Sequence, residues 1–209
     1  MRRVYHILGW SYVAFCGVVV TRSVLAKPAP SHASGSLPVA STSADATEWF
    51  RRARPYCNAV EITVLQRQVS PPATLEGAGF HAACFALAGK IDDARRIIDA
   101  LPATDRPRAA GIVFDVGHPV ADAGDDRSAA PIMEMVIDYW PGHYMALYHA
   151  AMAEYMLGQH DLARRNLSEF LRLYNANDGW RSNGLEILRR LNDSTEQKVE
   201  FKRPREPGL

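Results

Sequence analysis

The sequence has little net charge, few cysteines and only one long apolar run. Its 24 lysines and arginines nearly balance its 23 aspartates and glutamates, which leaves a formal net charge of +1. Without the first 26 residues, which hold three arginines and no acid, 21 basic and 23 acidic residues remain and the charge is −2. No basic stripe remains to attract a phosphate backbone, so nucleic acid is not an expected partner.

Catalytic motifs are also missing. The chain has no glycine-rich phosphate loop, no His-Glu-x-x-His pair, and no serine or cysteine nucleophile in a recognisable motif. His143 and His149 are six residues apart, which places them on different faces of one helix, so no shared metal site is expected. We therefore expect a protein that is not an enzyme and carries no cofactor and no metal.

The long apolar run lies at the N-terminus. Arg2 and Arg3 precede residues 4–20, which contain no Asp, Glu, Lys or Arg, and Ala26 is a small residue at a suitable cleavage position. This layout predicts a secretory signal peptide over residues 1–26 and a periplasmic or secreted protein. An uncleaved membrane anchor is the alternative, because about 17 apolar residues approach the length of a spanning helix.

Composition divides the rest of the chain into three parts. Residues 27–46 are rich in Pro, Ala and Ser and lack apolar periodicity, which predicts a flexible linker. Residues 47–191 contain the regular apolar spacing of one helical domain. Residues 192–209 mix Lys and Glu with two prolines and are expected to form a disordered tail.

A glycine followed five residues later by an alanine recurs in the helical domain. The pairs are Gly89 with Ala94, Gly124 with Ala129, and Gly158 with Ala163. Successive glycines are 35 and 34 residues apart, a period typical of stacked helix-turn-helix units. The glycine is expected in the left-handed turn between two antiparallel helices, and the alanine where the helices approach closely.

This pattern resembles the tetratricopeptide repeat, with units at 75–109, 110–143 and 144–177. The resemblance implies an all-α solenoid of about four helical hairpins, counting a degenerate first hairpin, plus a C-terminal capping helix. The chain departs from the family pattern at several positions. His81 replaces an aliphatic residue, Glu154 stands where an aromatic residue is usual, and Asp126 and His160 replace the aromatic residue after the turn. Pro119 should kink or shorten the first helix of the middle unit.

The resemblance also implies a concave groove, lined by the first helix of each hairpin, that holds an extended peptide. By phase, its residues are Phe114, His118, Asp122, Tyr148, Met152 and Tyr155. The Lys and Asn residues with which the family clamps a terminal carboxylate are missing, so an apolar or mildly basic segment is the expected ligand. The alternative for these side chains is that they fill the space between adjacent hairpins.

Two functions fit this description. The first is an exported scaffold or adaptor that binds a protein or peptide in its groove, with membrane contact only if the N-terminal segment is retained. The second is a structural or self-associating module whose groove is filled by a second copy or by its own tail, where Val199 and Phe201 are apolar.

Two cysteines remain once the signal peptide is removed, Cys57 and Cys84. An even count in an exported protein favours a disulfide between the first hairpin and the next one. Two buried free thiols are the alternative.

Overall fold

The computed structural model describes residues 43–202. The predicted signal peptide, most of the predicted linker and the last seven residues lie outside this range, so the structure does not bear on them. The α-helices are α1 (Ser43–Ala53), α2 (Ile62–Gln68), α3 (Leu75–Leu87), α4 (Ile91–Asp99), α5 (Arg106–Asp122), α6 (Asp126–Tyr139), α7 (Tyr144–Met156), α8 (His160–Leu173) and α9 (Gly179–Lys202). A short 3₁₀ helix, Arg54–Tyr56, follows α1. The expected all-helical class is confirmed for the described residues, which contain no strand.

Three helix pairs, α3–α4, α5–α6 and α7–α8, are joined by glycine turns. Gly89, Gly124 and Gly158 have φ of 71°, 74° and 74°, the left-handed conformation that glycine adopts at low cost. The alanine five residues after each of them is completely buried. Each of these pairs packs on the next one, through α3 against α5 and α6 against α7. The glycine–alanine spacing therefore corresponds to helical hairpins in the structure.

Small residues let the paired helices approach closely. Ala82 and Ala151 are completely buried, and Gly117 occupies the equivalent place in α5. A Cβ added to Gly117 would lie only 2.7 Å from Cγ2 of Ile132 in α6. A larger residue at this position would therefore push the two helices of the middle hairpin apart.

The middle hairpin begins earlier than predicted. Helix α5 starts at Arg106, inside the range 75–109 assigned to the preceding repeat, and Pro107 lies in its first turn, where proline is favourable. The helix also continues through Pro119 to Asp122. Pro119 has no N–H and so removes one helical hydrogen bond. Its carbonyl still accepts a 3.1 Å bond from the Ala123 N–H at the end of the helix.

The ends of the domain also differ from the expected boundaries. Helix α1 begins at Ser43, within the predicted linker 27–46, and α9 extends to Lys202, within the predicted tail 192–209. The second helix begins only at Ile62, after a turn at Asn58. Here the Asn58 carboxamide oxygen accepts hydrogen bonds from the N–H groups of residues 60 and 61, a local turn that competes with helix formation.

The last helix packs on the third hairpin. Ile187 and Leu191 in α9 form one apolar cluster with Ala151, Ala163 and Leu167. None of the helices within residues 43–202 combines the length and the apolar character needed to cross a bilayer. Through Ile187 and Leu191, helix α9 covers apolar surface of the third hairpin.

Cys57, which follows the 3₁₀ helix, and Cys84 in α3 form a disulfide in the structure. Their Cα atoms are 4.8 Å apart, within the normal range, and both residues are buried. The bond joins the first helices to the hairpin α3–α4.

Reducing this disulfide should lower the free energy of unfolding by about 3–4 kcal/mol, because the bond closes a loop with a sequence separation of 27 residues. Urea unfolding of the full chain with and without reductant measures the difference. The double variant Cys57→Ala, Cys84→Ala is the control and should not respond to reductant. Free thiols at both Cys57 and Cys84 in a titration under denaturing, non-reducing conditions would contradict the bond.

Candidate functional site

The six predicted groove residues lie on the two first helices α5 and α7, but they are not equally accessible. Phe114 and Tyr148 are only 8% and 6% exposed, so they pack between helices, as the alternative interpretation had it. His118 is partly buried, and Asp122 is exposed. The accessible part of this face therefore lies at the end of α5.

Helix α9 contacts the α7 part of the predicted groove. The Asn183 amide donates a 2.6 Å hydrogen bond to the Tyr148 hydroxyl and lies 3.5 Å from the Met152 sulfur. The Trp180 ring meets the Tyr148 ring edge-on at 5.0 Å between centroids, and Tyr155 packs on the cluster that holds Ile187 and Leu191. The chain's own last helix thus covers the groove residues of the third hairpin.

Six aromatic and histidine rings form a continuous row, which we call the ring row. It runs from the end of α6 past α5 and α7 to α9. In order they are Trp140, His143, Phe114, His118, His149 and Trp180. Neighbouring centroids are 4.6, 4.2, 5.0, 4.5 and 5.9 Å apart. The two terminal tryptophans are each 41% exposed, whereas Phe114 and His149 at the centre are buried. The row is thus open to solvent mainly at its two ends.

The ring row has a local structural basis at each position. Phe114 and His118 are four residues apart on α5 and stack on one another. Trp140 ends α6, and its ring lies against Gly111, where an added Cβ would approach it to 3.2 Å. His143 caps the start of α7, since its Nδ1 accepts a 3.2 Å bond from the Ala146 N–H.

Three possible metal ligands meet in the middle of the ring row. One ligand atom from each of His118, Asp122 and His149 lies within 4.8 Å of the other two. The His118 Nε2 is 3.4 Å from a carboxylate oxygen of Asp122 but makes no hydrogen bond there. The Nε2 of His149 is also buried without a hydrogen-bond partner. The two imidazoles therefore present unsatisfied nitrogen atoms at one place.

Burial lowers the pKa of His149 to about 4, and the neighbouring His118 acts in the same direction, while Asp122 opposes the change. Burial likewise lowers the pKa of His143. The imidazoles of His149 and His143 are therefore neutral at pH 7. A neutral imidazole can offer a nitrogen lone pair to a hydrogen-bond donor or to a metal ion.

His149 was not among the site residues predicted from the sequence. Histidines were compared only along a single helix, where His143 and His149 lie on different faces. The partner of His149 is instead on another helix, because α5 and α7 bring His118 beside it. Only the α5 part of the cluster had a signal in the sequence, because His118 and Asp122 are four residues apart on the face assigned to the groove.

A second buried polar cluster holds α7 on its other side. The Glu154 side chain in α7 is completely buried, and the Asn166 amide donates to its two oxygens at 3.0 and 2.9 Å. The same amide donates at 2.5 Å to Glu134 in α6, and Arg165 pairs with Glu134 at 2.9 Å. This explains the departure at Glu154 from the family pattern: three helices meet at one hydrogen-bonded carboxyl pair.

The two carboxyl groups of this cluster have opposite pKa shifts. Burial raises the pKa of Glu154 to about 8, and its hydrogen bond to Glu134 acts in the same direction. The pKa of Glu134 is lowered by its hydrogen bonds to Glu154 and Asn166 and by Arg165, which together outweigh burial. The opposite directions of the two shifts favour a single proton on the pair, with Glu154 the more basic of the two carboxyl groups.

Comparisons with protein-family models, with curated proteins and with solved structures found no match for this chain. The resemblance to the tetratricopeptide repeat therefore remains a prediction from the sequence.

The raised pKa of Glu154 predicts a pH-dependent stability. The fold favours the protonated form, so this contribution is complete below about pH 4.5 and is lost as the pH rises through about 8. Between pH 5 and 8 the free energy of unfolding should fall by at most about 1.4 kcal/mol per pH unit relative to Glu154→Gln, which has no proton to lose. Urea unfolding at several pH values measures this difference.

The control variant is Glu169→Gln, which removes a partly exposed glutamate of α8 that pairs with Arg172. The pKa of Glu169 is lowered, so its titration lies below the tested window and the pH profile should match that of the unaltered protein. Parallel profiles for the unaltered protein and Glu154→Gln would contradict the shared proton.

Proposed function

We propose that this chain is an exported, non-enzymatic scaffold or adaptor of the tetratricopeptide type, which binds an extended segment of a protein partner at the exposed ends of the ring row. The observation that carries the proposal is the row itself, with a partly exposed tryptophan at each end and α5 and α7 side by side beneath it. The signal-peptide layout of residues 1–26 supports export.

The chemistry of the ring row favours an apolar and mildly basic segment. Trp140 and Trp180 offer flat apolar surface with an indole N–H, which suits a wet interface. Asp115 and Asp122 are exposed on α5 beside the row and are seven residues apart, so they lie on one side of the helix. A lysine or arginine of the segment can pair with either carboxylate while neighbouring apolar side chains contact the tryptophans.

The test should use the exposed ends of the row rather than its buried centre. Peptides selected against the full chain from a random library should combine apolar residues with Lys or Arg. Trp140→Ala and Trp180→Ala should each weaken the selected peptide at least about tenfold, because exposed tryptophans at an interface carry much of its binding energy. Fluorescence anisotropy of the labelled peptide measures the affinity.

Tyr56→Ala is the matched control, since Tyr56 is an aromatic residue with 47% exposure outside the ring row. It should leave the affinity unchanged, and circular dichroism should show that all variants are folded. Equal affinities for the tryptophan variants and the control, or no selected peptide, would reject a segment-binding row.

One observation favours the second candidate, a module that occupies its own groove. Asn183 and Trp180 of α9 already contact Tyr148 and Met152. The side chains of Val199 and Phe201, the tail residues assigned to this role, lie outside the described residues.

Truncation after Leu191 distinguishes the two candidates. If the tail occupies the groove, the truncated chain should bind the selected peptide more tightly, or its solution mass should change in light scattering. Unchanged affinity and unchanged mass would argue against the self-occupied groove and favour the segment-binding scaffold.

A further inference from the structure

The ligand atoms of His118, Asp122 and His149 are arranged for chelation from two helices. His118 and Asp122 are four residues apart, one helical turn, so both side chains lie on the same side of α5. His149 approaches them from α7, with its ring centroid 4.5 Å from that of His118. All three ligand atoms lie within 4.8 Å of one another.

Each of the two histidines has a buried ring nitrogen that forms no hydrogen bond with the described residues. His149 is only 6% exposed, and its Nε2 has no hydrogen-bond partner. The Nε2 of His118 is buried and unbonded in the same cluster. Leaving a buried polar atom unsatisfied costs about 1–3 kcal/mol, so two of them at one point call for an explanation. A cation placed between the nitrogens would satisfy both at once.

We propose that His118, Asp122 and His149 bind one divalent transition-metal ion of the Zn²⁺ class. Two imidazole nitrogens and one carboxylate oxygen suit Zn²⁺ and its neighbours, whereas Mg²⁺ and Ca²⁺ prefer oxygen ligands throughout. Ligands about 2.1 Å from a tetrahedral Zn²⁺ are about 3.4 Å apart. The His118 Nε2 and one Asp122 oxygen already have this separation, at 3.4 Å. Bringing the widest of the three pairs, which is within 4.8 Å, to the same separation takes at most about 1.4 Å.

The surroundings of the site keep the imidazoles in place. Phe114 stacks on His118 at 5.0 Å, and the Trp180 ring lies 5.9 Å from that of His149. Ring contacts of this kind restrict the orientation of ligating histidines before the ion arrives. Three protein ligands leave the fourth position of a tetrahedral ion open to water or to a group of a bound molecule.

The inference does not require the segment-binding function. The ion would be held by the described residues alone, whether or not a partner segment binds the ring row. If such a segment does bind, the open position would lie within the row and would accept a nitrogen, oxygen or sulfur ligand from it.

Zn²⁺ titration of the full chain, purified without a histidine tag and treated with chelator, tests the site directly. Isothermal calorimetry should give one ion per chain, and Zn²⁺ should raise the melting temperature of the unaltered protein. Asp122→Asn and His118→Gln should each weaken Zn²⁺ binding at least about tenfold, since each removes one of three protein ligands. Because Asp122 is exposed, Asp122→Asn tests the site even if a histidine variant fails to fold.

His160→Gln is the matched control, because His160 is a partly buried histidine of α8 that contacts Tyr155 and lies outside the cluster. It should bind Zn²⁺ with unchanged affinity. Co²⁺ in place of Zn²⁺ gives a second measurement, since its visible absorption reports coordination in the unaltered protein and should be lost in His118→Gln.

Three results would overturn the inference: no Zn²⁺ binding by the folded full chain, binding that survives both site variants, or equal weakening by His160→Gln. Its failure is distinguishable from failure of the proposed function. Zn²⁺ binding is measured without peptide, and peptide binding is measured in chelator, so either can fail while the other holds.

Discussion

The fold depends on the close approach of helices within each hairpin. Left-handed glycines at positions 89, 124 and 158 reverse the chain, and completely buried alanines allow the second helix of each pair to lie against the first. At Gly117 this approach leaves no room even for a Cβ beside Ile132. Such contacts bury small side chains, so each one contributes little apolar area, and stability comes from repeating the contact along the chain.

Alanine and glycine allow two helices to approach closely. Because small side chains interlock weakly, they do little to fix the position of one helix along the other. Helix α7 is fixed along its neighbours by a hydrogen-bonded carboxyl cluster. Its Glu154 meets Asn166 and, through the shared proton, Glu134 on neighbouring helices, while His149 faces His118 on α5. Hydrogen bonds have narrow geometric requirements, so a shift of α7 along its neighbours would break the carboxyl cluster. We infer that this cluster sets the position of α7, and with it that of the ring row.

Interactions between residues close in the chain could be predicted from the sequence, whereas interactions between distant residues could not. The hairpin turns and the faces of α5 and α7 repeat at fixed spacings, so the glycine–alanine pairs and the residues Phe114 and His118 could be read from the chain. The approach of His149 to His118 depends on how two helices from different hairpins pack, and no local spacing encodes it. The late start of α2 depends on one side chain, since the carboxamide of Asn58 bonds backbone N–H groups that a helix would otherwise use.

The distribution of exposure along the ring row limits what the row can do. A groove that held a peptide by its full length would keep its central rings accessible, yet Phe114 and His149 are 8% and 6% exposed. Contact with a large partner is therefore confined to Trp140 and Trp180 and the carboxylates beside them. The centre, by contrast, is accessible only to something small, and its unsatisfied groups are nitrogen atoms rather than apolar surface. A peptide segment needs exposed apolar rings, which the row has at its ends. An ion needs unbonded nitrogen atoms, which the row has at its centre.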